Sequence, residues 1–504
     1  MERRSQRLSS KSQIVGASEA DQVVNECRHL DAENVGLLTG MCYFFKLVPH
    51  ALGLASVYFF QESLGTIGIY VCNRTGGVVL QTAFGFLPTL NNFIISMNVY
   101  GILEKIGISC SQSLGLNNPT LTKKLFFQAM VFFIMMWIFL MFPLMLLSKH
   151  YLRALGYSDE IVNSVYYLIT TLFPSYFILN TSEMFITFCY SQGVESEMPI
   201  VVFINTVVTG IAVVLVCIYW KLGINGWIFC HYLYSSIYLV GSLIIYFTKI
   251  DRRAIGIPRL GYMFTGFCGF ALDCFKYVVG MFIECSGIEI FRLLVSLTLV
   301  PAQVSANGAI CNMFDYISVI GLGFSTVGRT RVNVLLSKKM PRAAKNVFMS
   351  FFAGTVLIGA VLGGLIYFGR GALLNVFAGD EVEIAYYLNR QLVVYSFCAA
   401  SDLLLLMMFT MARSVNAIAI NFVLTIVFLV CSQLAVGIFL LKYKPDSMWL
   451  QINTYSNFYT VFAILLAIFL WKDWREINYV DEERTGKEEL ELIYRREVKA
   501  FESE

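Results

Sequence analysis

Two acids interrupt an apolar segment, Glu284 and Glu289 in MFIECSGIEIF at residues 281–291. An ionised side chain at the centre of a membrane helix costs roughly 2.5–3.5 kcal/mol on the translocon scale, so a retained pair calls for a use. A carboxyl group held away from water can carry a proton in one state and bind a cation in another. Where the two compete for one group, each drives the other off. Asp402, in ASDLLLLMMF, is a third such acid with no base beside it in sequence. Glu62, next to Gln61, is a fourth, whereas Glu183 and Asp315 read as polar contacts between helices. Nearby bases supply competing readings. Arg292 follows Glu289 by three residues and could neutralise it within one helix, and Asp273 with Lys276 reads as a structural pair. Enzyme chemistry is not expected: there are only four histidines, with no His cluster, nucleophile motif or phosphate-binding loop.

The elements that carry these acids are read from hydropathy. The chain has 504 residues, 57% of them hydrophobic and 14% charged, with a mean hydropathy of +0.67, which fits a soluble domain poorly. A spanning helix needs about 20 largely apolar residues, and roughly twelve such runs are present. They lie near 47–72, 78–103, 125–148, 162–189, 198–220, 226–248, 270–299, 302–327, 347–368, 384–410, 416–441 and 448–471. The runs are continuous rather than alternating, so helices are expected and not a barrel. The polar first 40 residues hold Arg3, Arg4, Arg7 and Lys11 without a following apolar stretch and cleavage site, so no signal peptide is expected. Lys and Arg concentrate in alternate loops, at Lys123–Lys124, at Lys249 to Arg259 and at Arg329 to Lys345. That bias places both termini in the cytoplasm.

The 13 cysteines lie mostly within apolar runs with no CxxC pair, and read as small core residues. Asn73-Arg74-Thr75 is a glycosylation sequon on a predicted outer loop; Asn180-Thr181-Ser182 falls in a helix and is expected to be silent. An internal repeat is visible. GYSDEIVNSVYYL (156–168) is echoed by AGDEVEIAYYL (378–388), about 220 residues on, and at nearly that spacing Phe188 answers Phe409, Lys221 answers Lys442 and Gly101 answers Gly321. The expected fold is all-α, about twelve transmembrane helices in two pseudo-symmetric six-helix bundles. The expected division is a cytoplasmic N-terminal tail (1–43), an N-terminal lobe (44–248), a basic linker (249–262), a C-terminal lobe (263–474) and a cytoplasmic C-terminal tail (475–504).

Several stretches resemble one family in the right order. CSQSLG (110–115), after Gly101, resembles the Gly-x8-Cys-(Gly/Ser)-Gln-x-x-Gly ending of helix two in multidrug and toxic compound extrusion (MATE) transporters. SQGVESEMP (191–199), LGING (222–226), Gly323 through Arg331-Val332, VFAGDEVE (376–383) and WKDWREI (471–477) are similar to later family turns, so the resemblance covers about 44–477. In eukaryotic-type members two helix-seven acids five residues apart, and a helix-ten acid eleven before an Arg, are implicated in cation binding and ion coupling. Glu284, Glu289 and Asp402 with Arg413 fall on them. The resemblance thus implies that the three acids face one cavity. It fails at Ile106-Gly107-Ile108, where the family has Leu-Asp-Thr, at Lys276 for a proline and at Ser414 for a glycine. The helix-one aspartate of prokaryotic members falls near Ile69, with Glu62 about two turns deeper.

What the resemblance implies is a secondary exporter that exchanges protons or sodium for small organic cations by alternating access. It would need no cofactor and no ATP, bind no nucleic acid and work as a monomer. It would sit in the plasma membrane or an organellar (vacuolar) membrane. The nearest rival is a flippase for lipids or lipid-linked oligosaccharides, whose cavity would be more cationic; Lys46, Lys276, Arg292 and Arg390 keep it open. A non-transporting structural membrane subunit is the third reading.

Overall fold

The computed structural model describes residues 20–31, 37–75, 87, 90–154, 158–194, 197–258, 260–298, 300–378, 381–415 and 417–476. Among them no strand occurs, and twelve long helices make up the body. The first six are α1 (Leu37–Thr75), α2 (Asn92–Gly115), α3 (Pro119–Ala154), α4 (Asp159–Ser191), α5 (Met198–Cys217) and α6 (Gly223–Lys249). The second six are α7 (Phe267–Thr298), α8 (Pro301–Ser337), α9 (Pro341–Phe377), α10 (Val382–Ser414), α11 (Ile418–Tyr443) and α12 (Ser447–Trp471). Ten of them, all but α1 and α7, are long and apolar enough over their described residues to cross a membrane. This is a multi-pass membrane protein, and its outer faces carry side chains suited to lipid, such as Phe139, Ile211, Phe368 and Phe397.

Local chemistry sets the starts of these helices. Asn118 caps α3, its side chain accepting from the Leu121 amide at 3.0 Å, and Pro119 follows at the first helical position. Asp446 caps α12 by accepting from the Met448 amide at 2.9 Å and pairs with Arg390 at 2.8 Å. Prolines also open α8 and α9. The ends differ from the sequence expectation. The second span, expected to stop near 103, continues to Gly115, and the eighth, expected to stop near 327, continues to Ser337. Both extensions hold buried polar residues (Glu104, Ser111, Gln112; Arg329, Asn333), which hydropathy counts against a span. Asn73 lies within α1 rather than beyond it; its side chain lies outside the described ones.

The two halves interlock. α1 packs on α5 and α6 of its own half but also on α8 and α9, and α7 packs on α11 and α12 but also on α2 and α3. Close approach is set by glycine. A Cβ on Gly101 would lie 2.5 Å from the Val278 Cα of α7, and one on Gly321 would lie 2.9 Å from the Leu403 Cα of α10. At the far ends of α2 and α8 a side chain on Gly115 would run into Ser337. The segment 20–31 closes over this end. Its Ala20, Val23, Cys27 and Leu30 are buried, Glu26 pairs with Lys46 of α1 at 3.1 Å, and Asp21 pairs with Lys338 at 3.3 Å. Asn346 of α9 donates to the Leu30 carbonyl at 2.8 Å.

Candidate functional site

A cavity of about 360 Å³ lies where α1, α2, α4, α6, α7, α8 and α10 meet. Its lining reaches Leu87, Asn91 and Trp227, near the starts of α2 and α6, while the ends of α2, α4, α8 and α10 are buried (Ser113, Ser191, Ser337 and Ser414). Among the described residues four carboxyl side chains line it, one from each of four helices: Glu104 (α2), Glu183 (α4), Glu289 (α7) and Asp315 (α8). Arg329 of α8 is the single Lys or Arg side chain in the lining among the described residues. Rings of Tyr58, Tyr100, Tyr176, Trp227, Tyr234 and Phe314 supply much of the rest.

Helix irregularities shape the wall. α2 opens with a π-turn over Asn92–Ser96, a feature frequent at functional sites, and Asn92 Nδ2 donates to Glu289 Oε1 at 3.5 Å. α4 carries Pro174, which removes one rung of the helical ladder beside the cavity residue Tyr176. On the same wall His231 Nδ1 and the Ser175 hydroxyl are 2.7 Å apart, and Ser175 meets the Ser235 hydroxyl at 2.9 Å. Trp227 and Tyr176 flank the imidazole, with ring centroids 5.5 and 5.1 Å away.

From this wall a buried chain of charges runs inward. Arg329 Nη1 is 3.1 Å from Glu104 Oε1, which also accepts from the Thr410 hydroxyl at 2.8 Å. Arg413 Nη1 lies 3.4 Å from Glu104 Oε2, and Arg413 Nη2 donates to Glu284 Oε2. Glu284 Oε1 accepts from Asn421 Nδ2 at 2.6 Å. The chain runs Arg329–Glu104–Arg413–Glu284–Asn421 and ties α8, α2, α10, α7 and α11 together. Two carboxylates balance two guanidinium groups, and each ion pair is less than a tenth exposed. Pairing of this kind is what lets charges persist out of water. Gly107, at one of the points where the family resemblance fails, makes room for it. A Cβ there would lie 2.5 Å from Arg329 Nη2.

The acids singled out in sequence are therefore dispersed, and the expectation that three of them face one cavity is not met in this conformation. Glu289 lines the cavity; Glu284 is bonded to Arg413 and Asn421 behind it. Asp402 is fully buried within the second half, accepting from the Tyr395 hydroxyl at 2.6 Å and the Tyr455 hydroxyl at 3.5 Å. Glu62 is on α1, and its side chain, like that of Arg292, lies outside the described ones. Asp273 and Lys276 form the expected pair at 2.9 Å. Glu183 and Asp315, read as interhelical contacts, line the cavity, and Glu104 and Arg329 were missed as site residues. Glu104 stands one turn from Gly101 on the same helix, the only local signal that could have raised it.

Known proteins match this chain in one domain and in fold. The MatE family model matches residues 54–217. The eukaryotic MATE transporter AtDTX14 superposes with a TM-score of 0.76 at 16% identity, over 87% of this chain and 98% of its own. The chain carries a MatE domain on a MATE transporter fold. A MOP-superfamily transporter from Pyrococcus furiosus shares that fold with a TM-score of 0.72 at 12% identity, over 84% of this chain and 94% of that one. The Vibrio cholerae MATE transporter VcmN, as a mutant, gives 0.71 at 13% identity, over 91% and 99%. No curated protein sequence matches the chain. At these identities the structural likeness is one of fold, so the chemistry rests on this chain's own residues.

Proposed function

We propose that the chain is a secondary active transporter that exchanges organic cations for protons or sodium ions by alternating access. The observation that carries this reading is the cavity wall. Four carboxyl groups face one arginine, itself paired with Glu104, among aromatic rings. A flat organic cation gains from both, through charge and through the ring faces, at about 0.5–2 kcal/mol per cation–π contact. Glu289, Glu183 and Asp315 are the proposed substrate contacts. Asp402 and Glu284, off the cavity in this state, are the proposed coupling acids, and Glu62 completes the set on α1. With both termini cytoplasmic, in the plasma or a vacuolar membrane, the cavity would open away from the cytoplasm. An ion gradient, not ATP, would drive the cycle.

The flippase reading fits less well. Three of its four candidate cations are engaged elsewhere, Lys46 with Glu26 at 3.1 Å, Lys276 with Asp273 at 2.9 Å and Arg390 with Asp446 at 2.8 Å, and the side chain of the fourth, Arg292, lies outside the described ones. Proteoliposomes loaded with ethidium and given an imposed pH or sodium gradient test the proposal. Gradient-driven ethidium movement is expected under one of the two, and movement under neither refutes exchange.

A further inference from the structure

The two arginines of the buried chain are held unequally. Arg413 is gripped on both sides, by Glu104 at 3.4 Å and by Glu284. Among the described residues Arg329 has one carboxylate partner, Glu104 at 3.1 Å, and its buried Nε has no hydrogen-bond partner. An unsatisfied buried donor weakens a group's hold on its place. Arg329 also faces the cavity, as does Glu104. Glu104 does not depend on Arg329 alone, because Thr410 at 2.8 Å and Arg413 remain on it.

We propose that Arg329 is a resident competitor for Glu104, displaced when a cationic substrate enters, and that Gly107 is the space that lets it dock. In this conformation the guanidinium holds the place on Glu104 that a substrate cation would take. An incoming cation takes that place and Arg329 turns into the cavity. On release Arg329 returns, which restores the second of Glu104's two guanidinium partners and helps expel the substrate. The change at Glu104 reaches Glu284 through Arg413, so Glu284 responds to occupancy without touching the substrate and is a positioning residue here. Displacement of Arg329 presupposes cation transport as proposed above, and Glu104 is then the contested carboxylate.

Two variants at different positions separate this from a merely structural role. Arg329→Gln removes the competitor and leaves Glu104 its other partners. Gly107→Ala puts a methyl group where the guanidinium end sits; that end is flexible, so the expected result is displacement of Arg329 rather than misfolding. Binding is read with ethidium and purified full-length protein in detergent, with thermal unfolding of each variant measured alongside. Loss of one buried charge competitor is expected to tighten ethidium binding about tenfold in either variant, with no further gain in the double variant. In proteoliposomes KM and kcat should then fall together, because release is slowed. Unchanged or weaker binding in a folded variant, with wild type binding normally, overturns the proposal alone. No ethidium binding by wild type removes the transport reading and this proposal with it.

Discussion

The fourth helix of each half carries a buried acid near a tyrosine, yet the two halves hold that acid in opposite ways. In the second half Gly321 lets α8 press against the backbone of α10, and Asp402 is sealed with hydroxyls of Tyr395 and Tyr455 on it. In the first half the corresponding Gly101 lies against α7 instead of α4. The space left beside α4 is cavity, and Glu183 and Tyr234 line it. Tyr234 stands to Tyr455 at nearly the spacing of the internal repeat. One repeat has thus been built once as a closed polar core and once as an open cavity wall. The choice follows from which neighbour the glycine faces. Glu284 on α7 joins the two, bonded to Arg413 and Asn421 in the second half and, through Arg413, to Glu104 in the first.

Breaking that joint should have the largest effect. Glu284→Gln leaves Arg413 buried with Glu104 as its remaining carboxylate, a loss of about 3–5 kcal/mol for a broken buried pair. Thermal unfolding in detergent should show a large fall in midpoint, and a midpoint unchanged from wild type would mean the pair is not a structural tie. A smaller effect is expected from Gly321→Leu, which forces α8 off α10 against backbone that cannot yield, at about 1–3 kcal/mol for overpacking. The same assay reads it, and the acid Asp402 should become accessible to water as the second half is pried toward the openness of the first. Smallest of all is Asp273→Asn near the start of α7, where the pairs with Lys276 at 2.9 Å and, more loosely, with Lys105 of α2 at 3.9 Å are partly exposed. Such pairs contribute under about 1 kcal/mol, so this variant should unfold with wild type and serves as the control for acids on α7.

Most of the fold was legible in the sequence because twelve apolar runs and a repeat are local patterns. Helix ends were not. α2 and α8 run past their apolar stretches through Glu104 and Arg329, and a residue paired inside the protein is invisible to a scale that assumes lipid around it. For the same reason the site was only partly legible. Glu289, Glu284 and Asp402 stood out as acids in apolar surroundings, and Arg413 entered only as a spacing mark beside Asp402. The chain that holds Glu284 joins residues 104, 284, 329, 413 and 421, whose meeting is fixed by packing and leaves no local pattern. Gly107 was visible as a departure from the family pattern. Its meaning, a berth for Arg329, needed the neighbouring helix.

If, as proposed, the open half binds the substrate while the closed half couples it to the ion gradient, the two acids should fail differently. The most direct test measures ethidium binding in detergent and gradient-driven ethidium movement in proteoliposomes for Glu183→Gln and Asp402→Asn in parallel. Asp402→Asn keeps an oxygen for the Tyr395 hydroxyl but cannot titrate, so it should bind ethidium like wild type and fail to exchange. Glu183→Gln should lose about tenfold in binding, the worth of one close charge contact. The reverse pattern, with Asp402→Asn losing binding while Glu183→Gln binds and exchanges normally, would contradict the division of labour between the two halves.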